Sequence, residues 1–252
     1  MKKLNKILII TLIFLSGMLV FQIGSIPNNQ GIRLVSTNTS SSLKGNPDIL
    51  VTPVKGPSVK TLLLQRAKTS WPWYITRTAG FIAALALFFL ILSGVGLISG
   101  YTFKVLEPLT AWATHKAIGL VFIVSVAIHG IALLFDTYVP FNVAQILFPF
   151  LSNYKKVVIF NHHLGSLYVA LGILAMYGVL AIGISTFLWI DKKPHTWKSI
   201  HFLAYLIAIF VFFHALYLGT DLTHGIFRTL WIIMGVIMAF AIIYRFRRVR
   251  SL

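Results

Sequence analysis

The sequence predicts an all-α membrane protein: a bundle of five core transmembrane helices preceded by an N-terminal signal-anchor helix. Three observations predict it. Apolar runs near 20 residues recur along the chain, at about 7–24, 76–99, 113–135, 164–188, 200–219 and 229–245. Basic residues gather in alternate connections between those runs. Four histidines lie inside two of the runs at nearly equal spacing.

A run of about 20 apolar residues is long enough to cross a hydrocarbon core of roughly 30 Å. The 252-residue chain is 58% hydrophobic and 11% charged, with a mean hydropathy of +0.86. Backbone groups in lipid must satisfy their hydrogen bonds within the segment, so long unalternating runs form helices and not barrel strands.

The net charge of +17 raises the question of nucleic acid, and its distribution argues against that partner. Lys2, Lys3 and Lys6 precede the first run, Lys192, Lys193 and Lys198 lie between the fourth and fifth, and Arg245, Arg247, Arg248 and Arg250 follow the sixth. With six alternating spans all three clusters fall on one side, as the positive-inside rule asks. Both termini are therefore expected in the cytoplasm of a multi-pass plasma-membrane protein. The basic residues from Arg33 to Arg66 fall on the other side, in a longer segment that weighs less in orientation.

Residues 1–24 read as a signal peptide or an uncleaved anchor, and the missing A-x-A-like cleavage site favours the anchor. Residues 25–70, rich in Ser, Asn, Gly and Pro, are expected as a flexible extracytoplasmic linker. The core domain is expected over 71–245, starting at WPWY, whose aromatics suit a membrane interface. A basic cytoplasmic tail, 246–252, follows. Between the third and fourth runs, residues 136–163 carry two prolines and scattered polar residues. They are expected to form a partly helical extracytoplasmic lid along the interface.

The chain has no cysteine, which excludes disulfides, thioether-attached or thiolate-bound haem and iron–sulfur clusters. Metal chemistry must then run on histidine. An ionisable residue inside a membrane span is costly and points to function. His115 and His129 lie on the third run, His201 and His214 on the fifth. At 1.5 Å per residue each pair spans roughly 20 Å, and both runs cross in the same direction. His115 and His201 then share one depth, His129 and His214 another.

Two levels with one histidine from each helix describe two bis-histidine haem sites. Neutral imidazole is a good haem ligand, and two axial imidazoles leave no open position, which suits electron transfer. Gly119 and Gly130, close to the ligands, are candidates for porphyrin approach. One point resists. Fourteen residues return near the same helix face, whereas thirteen leave an offset of about 140°. The fifth helix must tilt, distort locally, or serve haems rotated relative to each other.

The H-x13-H and H-x12-H spacings, with WYITRTAGFIAALALFFLILSGVGL, HKAIGLVFIVSVAIHGIALLFDTYVPF and TWKSIHFLAYLIAIFVFFHALYLGTD around them, resemble the ferric reductase-like transmembrane domain. Its bacterial haem-subunit branch is the nearer likeness, over about 71–245. The resemblance implies two haem b groups on His115, His129, His201 and His214. It also implies electron transfer from a cytoplasmic-side or quinol donor to an extracytoplasmic acceptor, ferric iron or a partner reductase. NADPH oxidases continue into a flavin and nucleotide domain, whereas this sequence reads RFRRVRSL at that point and has no G-x-G-x-x-G motif. A separate flavoprotein reductase or a quinol is therefore the expected donor, quinone a further candidate cofactor, and the chain the haem-bearing subunit of an oxidoreductase.

Lesser candidates are His162 and His163 at the mouth of the fourth span, as quinone, metal or acceptor ligands or plain interfacial groups. His195 reads as a solvated loop residue, and His224, near Asp221, as a loop residue or a part of an outer acceptor site. Arg77 is a candidate haem-propionate partner through bidentate pairing, or an interface anchor. Trp197 and Lys198 are candidates to flank the inner haem. A histidine-based metal-ion transporter is the competing function, but its site needs carboxylates at membrane depth. All five acids, Asp48, Glu107, Asp136, Asp191 and Asp221, fall in loops or at helix ends.

Overall fold

A computed structural model describes the backbone of residues 59–249 and the side chains of 68–247. The expected signal anchor and most of the expected linker lie outside the described residues, as does the end of the basic tail. In chain order the elements are α1 (Val59–Ser99), a 3₁₀ turn (Thr102–Lys104), α2 (Pro108–Leu133), α3 (Val143–Leu147), β1 (Val158–Ile159), β2 (His162–His163), α4 (Gly165–Trp189), α5 (Pro194–His201), α6 (Leu203–Leu218), a second 3₁₀ turn (Thr220–Leu222) and α7 (Ile226–Val249). The helical bundle belongs to the unit from Thr69 onward.

Five stretches are long and apolar enough to cross a membrane: Lys68–Ser99, Pro108–Leu133, Gly165–Trp189, Pro194–Leu218 and Ile226–Arg247. They match the five core runs in the sequence, and the chain is a multi-pass α-helical membrane protein. The first described helix starts at Val59, earlier than Trp71, inside the segment expected as linker. Its opening LLLQRAK is built from strong helix formers. Pro72 lies within α1, where a missing N–H removes one helical hydrogen bond.

The interior is made of small and branched residues. Ala83, Ala86, Leu87 and Ile91 of α1 meet Phe122 of α2, Ala175 and Val179 of α4, Ile207 and Ala208 of α6 and Met238 of α7. Lipid tails are as apolar as leucine, so close backbone approach through small residues is what holds such a bundle together. The large apolar side chains Phe89, Leu120, Phe187 and Phe240 face outward, as lipid contact allows. Helix α7 docks on α6 where Trp231 Nε1 donates to Phe212 O at 3.1 Å and the two rings stack, 14° apart.

The turns follow local chemistry. Gly100 takes φ +77° after α1, the left-handed end that glycine permits, and Pro108 sits in the first turn of α2. In the expected lid only α3 is helical, closed by a reciprocal capping box between Asn142 and Gln145. The remainder holds an antiparallel hairpin that the sequence pattern does not announce, pairing Val158 with His163 and Ile159 with His162. Its two turn residues, Phe160 and Asn161, both have positive φ, 48° and 65°, as a two-residue hairpin loop with the sheet's twist requires.

The span Pro194–Leu218 is not uniform. It breaks at Phe202, between α5 and α6. Phe202 N–H reaches back to Lys198 O at 3.1 Å, but Tyr205 N–H turns to Phe202 O at 3.3 Å, a tighter three-residue step. Phe202 itself keeps helical angles, φ −61° and ψ −23°, so the interruption is a single tight step between the helices that carry His201 and His214.

Candidate cofactor site: two facing histidine pairs

Helices α2 and α6 each carry a histidine toward the other. The rings of His129 and His214 have centroids 6.3 Å apart at an interplanar angle of 83°. The rings of His115 on α2 and His201 at the end of α5 are also 6.3 Å apart, tilted by 50°. The four residues paired by depth in the sequence therefore come together as two pairs. Along α2 the pairs are separated by fourteen residues, about 21 Å of helix.

What holds each ring is a set of Nδ1 contacts. His129 Nδ1 lies 2.8 Å from Thr76 O of α1, and His214 Nδ1 lies 2.8 Å from Tyr168 O of α4. A carbonyl oxygen only accepts, so Nδ1 carries the proton in both rings and donates it. His115 Nδ1 lies 2.8 Å from Ser93 Oγ, whose own hydroxyl donates to Leu90 O at 3.2 Å. With that proton on Leu90 O, Ser93 Oγ can accept from His115 Nδ1–H. In His129 and His214 the Nδ1 proton is thereby directed to a carbonyl, which in the neutral ring leaves Nε2 for a metal, and Ser93 allows the same tautomer in His115. His201 differs: its Nδ1 is buried without a partner. The ring instead packs on Trp197, 5.3 Å between centroids, and Trp197 is anchored by Nε1 donating to Thr186 Oγ1 at 3.0 Å.

Glycines make the close approach possible. A Cβ on Gly172 would overlap the His214 ring, one on Gly80 would stand 3.1 Å from His129 Nδ1, and one on Gly94 would stand 3.5 Å from His115 Cε1. Gly80 and Gly172 each follow by four residues the carbonyl that takes the histidine's proton. A helical carbonyl already accepts from the N–H four residues on, and a bare Cα there leaves room for a second donor. Gly119 and Gly130, expected at a porphyrin, border open space. A methyl group on Gly130 would meet nothing within 4 Å, and one on Gly119 would meet Leu90 Cδ2 at 3.9 Å.

Arg77, a candidate haem-propionate partner or interface anchor, pairs with a protein carboxylate. Its Nε donates to Asp221 Oδ2 at 2.8 Å, its Nη2 pairs with Asp221 Oδ1, and the guanidinium lies over the Trp73 ring, 3.9 Å from its centroid. The bidentate geometry was legible, but its partner is this loop aspartate 144 residues away. The pair ties α1 to the turn after α6. His162 and His163 are exposed on the hairpin, His163 Nδ1 lying 3.1 Å from Lys155 O. His195 and His224 are exposed, and His224 Nδ1 lies 3.0 Å from the hydroxyl of its neighbour Thr223.

Among the described residues no group of three or more His, Cys, Asp or Glu side chains could hold a metal ion. Two imidazoles with free Nε2 atoms can hold a metal that brings its remaining ligands with it. Comparison with protein-family models, with curated proteins and with solved structures finds no match for the chain.

Proposed function

We propose that the chain is a membrane electron-transfer subunit that holds two haem b groups, one on His115 and His201 and one on His129 and His214. The single observation that carries the reading is the repeated ring separation of 6.3 Å. His115 with His201, and His129 with His214, would hold a metal between their rings: with each nitrogen about 2.0 Å from it, the ring centres would stand about 6 Å apart. A porphyrin would supply the ligands that the protein does not. Bound at both levels, the haems supply reversible one-electron carriage between the two faces of the membrane.

The residues of the chain do the rest. The acceptors Thr76 O, Tyr168 O and Ser93 Oγ hold the protonated Nδ1 of three ligands and fix ring orientation. Trp197 restrains the fourth ligand by packing. Gly80 and Gly172 keep the ring–backbone contact open. The apolar spans exclude water, which limits leakage of charge. The Arg77–Asp221 pair pins the turn after the His214 helix.

The basic clusters favour both termini in the cytoplasm of a plasma-membrane protein, with the His115/His201 level in the cytoplasmic half. Electrons then enter from a quinol or a separate flavoprotein and leave beyond His129/His214 to ferric iron or a partner reductase, in line with the likeness to ferric reductase-like domains. A metal-ion transporter is less well supported, because each level offers two protein donors where zinc sites use three or four.

Proteoliposomes test the function. A reductant enclosed with a quinol should reduce an impermeant ferric complex outside, and removal of either histidine pair should stop it. Reduction that continues after loss of both pairs would contradict the reading.

A further inference from the structure

The two histidine levels are supported unequally. At the His129/His214 level both Nδ1–H groups go to backbone carbonyls, Thr76 O and Tyr168 O, which no side-chain substitution removes. At the other level His201 Nδ1 is buried without a partner, and the one Nδ1 hydrogen bond is that of His115 to Ser93 Oγ. We propose that Ser93 is a positioning residue that sets the donor strength of His115, and through it the reduction potential of the haem held at the His115/His201 level. The inference rests on the haem reading above.

An imidazole that donates its Nδ1 proton to an acceptor becomes a more basic ligand at Nε2. A more basic ligand stabilises ferric iron more than ferrous iron, so it lowers the potential. The Ser93 hydroxyl can take the accepting role with its own proton on Leu90 O at 3.2 Å. Ser93 also limits rotation of the His115 ring. Gly94, the next residue, would place a Cβ 3.5 Å from His115 Cε1, ordinary contact, so the serine and not the glycine supplies the restraint. Beside the packing of Trp197 on His201, one hydroxyl is therefore the Nδ1 hydrogen-bond support at this level, against two fixed carbonyls at the other.

The experiment uses the purified full chain in two single-haem backgrounds, His129→Ala/His214→Ala and His115→Ala/His201→Ala, with midpoint potentials read by spectroelectrochemistry. Ser93→Ala should shift the potential upward in the first background and leave it unchanged in the second. Ser93→Thr, which keeps the hydroxyl, should return it toward the unsubstituted value. No shift in the first background, or an equal shift in both, overturns the proposal. If Ser93→Ala loses the haem of the first background, restoration by Ser93→Thr supports the positioning role and failure to restore refutes it. An unsubstituted chain that takes up no haem overturns the underlying reading and this inference together, whereas a two-haem chain with a silent Ser93→Ala overturns this inference alone.

Discussion

The imidazole of His214 lies against the bare Cα of Gly172, with no room between them for a methyl group. The neighbouring contacts form a graded series: Gly80 leaves a methyl 3.1 Å from His129 Nδ1, and Gly94 leaves one 3.5 Å from His115 Cε1. The proposed ligation makes that series measurable. Gly172→Ala should displace His214 and remove the haem of its level while the other remains. Gly80→Ala should keep that haem with a broadened or shifted spectrum, since the ring must move by a few tenths of an ångström. Gly94→Ala should be silent. Haem content and visible spectra of the three variants check the order, and a Gly94→Ala variant more damaged than Gly172→Ala would contradict it.

Arg77 and Asp221 are nearly buried, with side-chain exposures of 9% and 12%. Removing one partner leaves the other charge without its counter-ion, which costs on the order of 3 kcal/mol at a buried pair. Arg77→Leu or Asp221→Leu alone should therefore lower thermal stability in detergent more than the Arg77→Leu/Asp221→Leu double variant does. Haem content should survive in the double variant. Loss of a haem there would show that Arg77 serves the cofactor directly.

Phe160 holds φ 48° at the hairpin tip and is 93% exposed. A left-handed conformation costs a non-glycine residue roughly 1 kcal/mol, and asparagine tolerates it better. Phe160→Asn should tighten the hairpin and slow proteolysis between α3 and α4 by a few-fold. Faster cleavage would show that the phenylalanine ring is held by something other than its own turn.

The helices are legible in the sequence because a span is a matter of length and polarity, and each core run is long and apolar over its whole extent. The pairing of histidines follows from depth alone, as counting residues along two parallel helices gives it without any knowledge of their faces. Their phase does not follow from depth, and the tight step at Phe202 lies in an apolar stretch with no proline or glycine to announce it. The Nδ1 partners are hidden for a different reason. Thr76 O and Tyr168 O are backbone atoms, and side-chain chemistry does not reveal them. A signal is present all the same: Gly80 and Gly172 each stand four residues beyond the accepting carbonyl. Gly119 and Gly130 neighbour histidines in sequence, whereas the glycines that meet histidines lie on the facing helices. The carboxylate-pairing geometry of Arg77 is evident from its type, but only the fold brings Asp221 to it. The hairpin is silent in the sequence because its turn is Phe-Asn, without the glycine that marks most such loops.

The central claim is two haems on two defined histidine pairs, and the most direct measurement is the haem count per purified chain with single histidine substitutions. The unsubstituted chain should carry two low-spin b haems. His115→Ala and His201→Ala should each leave one haem with the same spectrum, and His129→Ala and His214→Ala should each leave the other, again with matching spectra. A chain that carries no haem, or a His115→Ala spectrum that matches His214→Ala and not His201→Ala, would contradict the account.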